Sequence, residues 1–278
     1  MDYKKIFKSR QTRAKILRFL RFVPDELMVR LQYWIKMGRR LDLKHPQRFT
    51  EKLQWYKLRY RNPLMVACVD KFDVRAYVEE CGLKDILTTC YGVFDNGDEI
   101  DFSRLPRSFV LKDTLGGGGN AVILVEDKEQ ADLEQIRARL NAWTSNKPSR
   151  SGGREWPYYE GKSHRIIAEE YLPSDPDQGG LIEYKFFCFN GKATFSYVLA
   201  DRAVGKRVSL AIYDREFNKV PYLRMDEEPL ERDIEKPEKY EDIPRIGRRR
   251  HIHQHKCGNI PGYHNQCDDE LHRDVLSQ

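Results

Sequence analysis

Long apolar runs are missing from this sequence, which argues against a membrane-spanning chain. No stretch approaches the ~20 consecutive apolar residues that cross a bilayer. The first ten residues are basic, but Lys15, Arg18 and Arg21 interrupt the apolar stretch that follows, so we expect no signal peptide. Six cysteines are too few to form a dense disulfide framework in 278 residues, so we expect free thiols. Together these features predict a cytoplasmic protein with a sizeable core.

The net charge of +6 conceals a strong asymmetry along the chain. Residues 1–60 contain 17 Lys and Arg against 5 Asp and Glu, whereas the other 218 residues contain 32 against 38. This basic part predicts three helices, namely an amphipathic one over 12–22 and two more over Asp25–Met37 and Thr50–Arg59, with Thr50 as an N-cap. A solvated basic face is one interpretation. The other interpretation is that this basic part is attracted to the anionic inner face of a membrane. We expect no nucleic-acid partner.

The middle of the chain alternates helix and strand patterns and therefore predicts an α+β fold. The expected helices are Asp70–Glu80 and Asp127–Trp143. The expected strands are Ile86–Phe94, Ser108–Lys112, Ala121–Val125, Arg165–Leu172, Glu183–Asn190, Lys192–Leu199 and Val208–Tyr213. Asn190-Gly191 is a strong hairpin signal between two of them.

The last 35 residues, 244–278, differ from the rest. Only nine of them are hydrophobic and they hold five of the seven histidines, which predicts a poorly ordered tail. An alternative is a zinc site, because cysteine and histidine are zinc ligands. Its candidates are His251, His253, His255, Cys257 and Cys267, but their spacing matches no common zinc module.

Four successive glycines between two predicted strands give the sharpest local signal. The loop comprises Gly116, Gly117, Gly118, Gly119 and Asn120. Glycine lets backbone amides approach a ligand closely, which suits phosphate oxygens. The loop is not a P-loop, because no Gly-Lys-Ser/Thr follows, and it opens no helix as a Rossmann turn would. A flexible hairpin tip is the alternative interpretation.

Charged residues on the neighbouring strands strengthen the phosphate interpretation. Lys112 ends the strand that leads into the glycine loop, where its ammonium could contact a polyphosphate. Glu169 and Glu170 lie on one strand, so alternation sends their side chains to opposite faces. One of them could accept hydrogen bonds from a ribose or an adenine amine. Ordinary charged strand ends remain the alternative.

The order of these motifs resembles the ATP-grasp fold, and several segments resemble its TupA-like family, named for teichuronopeptide biosynthesis. The segments are 45–57 (HPQRFTEKLQWYK), 70–75 (DKFDVR), 184–192 (YKFFCFNGK) and Asp201-Arg202. The resemblance covers about residues 40–242. It is most specific in segment 184–192, and the glycine loop alone would not establish it.

The resemblance implies ATP held between two lobes. By this comparison Lys71 and Lys112 contact the phosphates, the loop Gly116–Asn120 covers them, and Lys185 points into the cleft from the second lobe. The adenosine-binding hinge corresponds to Glu169, Glu170 and Leu172. The implied chemistry is ATP-dependent activation of a carboxylate, followed by capture of an amine, on an unidentified carboxylate or saccharide acceptor. Mg²⁺ is expected as the metal of the family.

The C-terminal part departs from the family pattern. The family continues with a strand carrying Arg-x-Asp and another carrying Gly-Glu, whose acids hold Mg²⁺, and the tail 244–278 contains no such pair. We therefore predict a chain that is truncated or divergent after about residue 243, with impaired catalysis. A natural tail of another purpose is the alternative.

Two other functions stay open at this point. One is a glycosyltransferase-like polysaccharide protein, for which the sequence offers only Asp175-Pro176-Asp177. The other is a non-catalytic, membrane-associated nucleotide-binding module. The predicted architecture is a helical preface over 1–64, an N-lobe over 65–164, an incomplete C-lobe over 165–243 and the tail 244–278.

Overall fold

The computed structural model describes most of the chain. The described residues are 16, 19–117, 121–145, 154, 156–159, 161–173, 180–189, 192–201, 208–222 and 228–241. The predicted helix over 12–22, Asn190-Gly191 and the tail 244–278 therefore lie wholly or mostly outside them. Within these residues the chain forms two compact units.

The first unit takes in the described residues of Met1–Val66 and Lys147–Lys162. Its helices are α1, Asp25–Met37, and α2, Phe49–Arg59, with short 3-10 turns at Leu20–Phe22 and Trp156–Tyr159. A further helix, α3, runs from Pro63 to Val69. As predicted, α1 ends at Met37, and the left-handed backbone of the next residue, Gly38 (φ 67°), closes the last turn.

The predicted N-cap of α2 is wrong. The helix begins at Phe49, and the carboxylate of Glu51 accepts hydrogen bonds from the backbone amides of Gln47 and Arg48. Thr50 is buried, and its hydroxyl lies 3.0 Å from the hydroxyl of Tyr33 on α1. Thr50 thus joins the two helices, and Glu51 satisfies the free amides that precede the first turn.

The second unit takes in the described residues of Ala67–Asn146 and Ser163–Asp268 and contains both sheets. The first sheet has the order β1-β4-β2-β3, with every neighbouring pair antiparallel. Its strands are β1, Cys90–Phe94; β2, Phe109–Asp113; β3, Val122–Val125; and β4, Ile166–Glu170. The glycine loop connects the neighbours β2 and β3, and β4 lies beside β2 although about fifty residues separate them in the chain.

Two helices accompany this sheet, α4 over Asp73–Glu80 and α5 over Leu133–Thr144. Leu140 of α5 is fully buried in the sheet's apolar core, where it meets strand residues that include Phe109, Leu111, Ile123 and Ile166. Both helices begin later than the sequence predicted. Asp70 and Asp127 instead use their carboxylates to accept backbone amides in turns before the helices start.

The second sheet is built on the predicted hairpin. Its strands are β5, Glu183–Phe189; β6, Lys192–Ala200; β7, Ser209–Asp214; and a two-residue β8, Glu228–Pro229, in the order β5-β6-β7-β8. The first three strands are antiparallel, and β8 adds a short parallel pair that the sequence did not suggest. Helices and two mainly antiparallel sheets confirm the α+β class.

The segment that follows β8 packs against the second sheet through Tyr240. Tyr240 is buried, and its ring lies 4.9 Å from that of Phe186 and 4.8 Å from that of Phe217. Its hydroxyl lies 2.7 Å from Oγ of Ser196 on β6 and donates to the carbonyl of Asp214. The side chain of Tyr240 therefore anchors the last described segment to this sheet.

Two further findings concern the described part of the chain. None of its helices is long and apolar enough to cross a membrane. Its four cysteines, Cys68, Cys81, Cys90 and Cys188, form no disulfide with one another.

Candidate functional site

The side chain of Glu169 is a buried carboxylate on the first sheet, and charged and polar side chains surround it. Glu169 on β4 is almost fully buried, and its Oε2 lies 2.9 Å from Nζ of Lys112 on the neighbouring strand β2. Its Oε1 accepts hydrogen bonds from Arg75 (3.1 Å) and from the hydroxyl of Thr88 (3.2 Å). Burying a carboxylate is costly unless it is paired and hydrogen-bonded, and Glu169 meets both conditions.

Arg75 connects this carboxylate to the start of β1. It lies on α4, and besides Glu169 its guanidinium donates to the backbone carbonyl of Thr88. Both charges are largely removed from solvent. The pair Arg75 and Thr88 was not singled out from the sequence, because 13 residues separate them and only the fold brings both to Glu169.

Lys71 lies at the root of the glycine loop. Its ammonium donates to three backbone carbonyls, those of Asp113 (2.8 Å), Thr114 (3.3 Å) and Gly116 (2.5 Å). Burial lowers the pKa of Lys71 from its ordinary 10.5 to about 8; the carboxylate of Asp113 opposes this shift and the ammonium of Lys112 adds to it. Lys71 therefore holds the backbone that leads into the loop, up to the first glycine, and adds positive charge beside Lys112.

Two carboxylates hold the backbone around Lys71. Asp70 is fully buried, accepts the amides of Phe72 and Asp73, and forms a salt bridge with Arg165 just before β4. Asp113, at the end of β2, accepts the amide of Leu115 and lies 2.7 Å from Nδ1 of His164. Through Arg165 and His164, the residues just before β4 are therefore bound both to Asp70, before α4, and to Asp113, before the glycine loop.

The first two glycines of the loop meet different surroundings. A Cβ at Gly116 would lie 2.5 Å from Cβ of Ala121 and 3.1 Å from that of Asp113, so the backbone packs too closely for any side chain. A Cβ at Gly117 would have nothing within 4 Å. Gly118, Gly119 and Asn120 lie outside the described residues.

The other predicted site residues occupy separate places. As alternation predicted, Glu170 points away from the Glu169 cluster, and its carboxylate accepts from the amide and hydroxyl of Thr89. Leu172 is half-buried just after β4. Lys185 lies on β5 of the second sheet, with its ammonium 3.3 Å from Glu183.

Metal-ligating side chains are dispersed in the described part of the chain. Among them no group of three or more His, Cys, Asp or Glu side chains could hold a metal ion. The carboxylates nearest Lys71 are instead bound by cations, a histidine and backbone amides, as described above for Asp70, Asp113 and Glu169. The predicted tail histidines and Asp175-Pro176-Asp177 lie outside the described residues.

Comparison with known proteins decides the family. The model of the TupA-like ATPgrasp family matches residues 51–247. The chain belongs to this family. No curated protein and no solved structure matches it.

Membership confirms the resemblance inferred from the sequence and makes the chain an ATP-grasp protein. ATP-grasp proteins generally use ATP and Mg²⁺. The match includes the glycine loop, both lysines, Glu169 and the hairpin of the second sheet. Every residue of the Lys71 and Glu169 clusters thus lies inside the family region.

Proposed function

We propose that this ATP-grasp protein binds ATP in the manner of the ATP-dependent carboxylate–amine ligases of cell-surface polysaccharide or teichuronopeptide synthesis, with impaired catalysis. The observation that supports it is the pairing of Lys112 with Glu169 at 2.9 Å, directly beside the Lys71 that fixes the root of the glycine loop. This arrangement holds two ammonium groups at the base of a glycine-rich loop, which suits a polyphosphate.

In this proposal the two sheets of the second unit are two lobes with ATP between them. Lys112 and the loop amides of Gly116–Asn120 bind the phosphates, and Lys71 adds charge while it holds the loop. Glu169, Glu170 and Leu172 bind the adenosine, and Lys185 reaches the nucleotide from the second sheet. The domain limits 65–164 and 165–243 are part of the same proposal.

The proposed reaction has two steps. A carboxylate oxygen of the acceptor attacks the γ-phosphorus of ATP and ADP leaves, which gives an acyl phosphate. An amine then attacks the acyl carbon and phosphate leaves, while the amine's proton is released. The contribution of the lysines is to position and neutralise the phosphates as the γ-phosphoryl group transfers.

A calorimetric titration of the full chain tests this proposal. We expect binding of ATP in preference to UDP-glucose with little dependence on Mg²⁺, and only weak ADP release when carboxylate and amine mixtures are added, because the metal-binding acids of the family are missing after residue 243. Preferred binding of UDP-glucose would instead favour the glycosyltransferase-like function. ATP binding with a complete absence of ADP release, even at high enzyme concentration and long reaction times, would favour a non-catalytic nucleotide-binding module.

A further inference from the structure

Helix α1 exposes a row of large apolar side chains to solvent. Leu27, Leu31 and Trp34 are 59%, 43% and 56% exposed, and their i, i+4, i+7 spacing places them on one face. The opposite face already forms the core of the first unit through Met28, Val29 and Tyr33. The exposed row is therefore not needed to hold α1 in place.

Two exposed aromatic rings precede this helix. Phe19 and Phe22 are 75% and 74% exposed, and their rings meet edge to face with centroids 6.1 Å apart. The four exposed aromatic and leucine side chains within residues 19–31, together with Trp34, give this stretch of the first unit a concentration of exposed large hydrophobic side chains. The exposed large hydrophobic side chains in the described part of the second unit are instead widely separated along the chain, namely Phe72, Tyr91, Leu124 and Tyr222.

Lys and Arg are abundant in the part of the sequence that contains this apolar row. Residues 1–60 carry 17 Lys and Arg against 5 Asp and Glu. Arg39 and Arg40 are exposed and follow Gly38, one turn beyond Trp34. Exposed Trp, Phe and Leu beside Lys and Arg are typical of segments that lie in the interface of an anionic bilayer. A nucleic acid would use the cations but leave the leucines in water.

We propose that the exposed row Leu27, Leu31 and Trp34, with the exposed rings of Phe19 and Phe22 before it, docks on an anionic phospholipid bilayer. The apolar side chains enter the headgroup region, and the surrounding Lys and Arg contact the lipid phosphates. Each basic residue near such a surface adds to the electrostatic attraction. This docking does not depend on the nucleotide site, which lies in the other unit.

Vesicle flotation of the full chain tests this docking. We expect binding to vesicles of equal phosphatidylglycerol and phosphatidylcholine but not to phosphatidylcholine alone. Binding should fall steeply when salt rises from ~0.1 to ~1 M, because the Debye length shrinks from about 10 to 3 Å. The double variant Leu31→Ser/Trp34→Ser should bind at least about tenfold more weakly, since burying one leucine contributes about 1.5–3 kcal/mol.

The matched control is Leu124→Ser, which removes a leucine that is 61% exposed on β3 of the second unit. Its vesicle binding should equal that of the wild type, and both variants should keep the wild-type melting temperature. Trp fluorescence should shift to the blue on vesicle binding in the wild type and shift less in the double variant. Equal binding by the double variant, or equal binding to phosphatidylcholine alone, would overturn the proposal. So would preferential binding of duplex DNA that the double variant leaves unchanged.

Discussion

The ammonium of Lys71 donates to the backbone carbonyl of Gly116, so a buried lysine 45 residues earlier in the chain fixes the first glycine of the loop. That contact depends on Gly116 itself, because a Cβ there would lie 2.5 Å from Cβ of Ala121. The backbone at the start of the loop thus depends on the ammonium of Lys71 and on residue 116 being a glycine.

The first prediction compares the two adjacent glycines. Gly116→Ala should destabilise the protein by about 1–3 kcal/mol, because the new methyl group overpacks the loop root against Ala121. Gly117→Ala should cost nothing measurable, since its Cβ meets no atom within 4 Å. Urea denaturation of both variants measures the difference. Equal stability of the two variants would contradict the close packing at Gly116.

The second prediction concerns nucleotide binding through Lys112. Lys112→Ala should weaken ATP binding by about 1.5–3 kcal/mol, the range for a hydrogen bond to a charged group. Calorimetric titration measures the affinity, and Lys84→Ala, which removes an exposed lysine of the same unit, is the control. An unchanged affinity in the Lys112 variant would remove Lys112 from the proposed phosphate site.

The third prediction follows from the lowered pKa of Lys71. Its folded pKa of about 8 lies below its ordinary 10.5, so between these values the unfolded chain binds the additional proton. Stability contributed by this group therefore rises with pH across that window, by up to about 3 kcal/mol. The measured quantity is the free energy of unfolding of wild type minus that of Lys71→Met, at several values from pH 7.5 to 10.5. A difference that stays flat or falls with pH would refute the lowered pKa.

The sequence predicted elements best where one local signal fixes them. Helix α1 ends at Met37 as predicted, because Gly38 follows it and glycine takes the left-handed conformation that closes the last turn without strain. The hairpin of β5 and β6 also followed from alternation and from Asn190-Gly191. Helix starts were missed where an aspartate carboxylate, such as that of Asp70, held the preceding amides in a turn instead.

The charged cluster could be predicted only in part. Lys112 and Glu169 were visible as candidates because they lie on strands beside the glycine loop. Their salt bridge depends on β2 pairing with β4, and Arg75 reaches Glu169 from a helix 94 residues earlier. No local pattern encodes such long-range partners, so neither Arg75 nor Thr88 received a role from the sequence.

The fourth prediction tests the buried carboxylate of this cluster. Glu169→Gln should destabilise the fold by about 3–5 kcal/mol, because it removes the only carboxylate that the described structure pairs with Arg75 and Lys112. Glu170→Gln is the matched control on the adjacent position, where the carboxylate bonds the exposed Thr89. It should cost about 1 kcal/mol or less. Thermal and urea unfolding compare the two, and equal losses would show that burial of Glu169 has no energetic consequence.

The last prediction separates Tyr240 from the tail that follows it. Tyr240→Phe should cost about 1–3 kcal/mol, because the buried hydroxyl of Ser196, 2.7 Å away, loses its partner while the aromatic packing is kept. Deleting residues 244–278 should change neither stability nor ATP affinity measurably, since only nine of these 35 residues are hydrophobic and can contribute little core. Urea denaturation and ATP titration measure both changes. The variant Tyr222→Phe, which alters an exposed tyrosine of the same unit, controls for loss of a hydroxyl in general. A deletion as costly as Tyr240→Phe would mean that the tail completes the fold, and then the metal-binding acids should be sought within it.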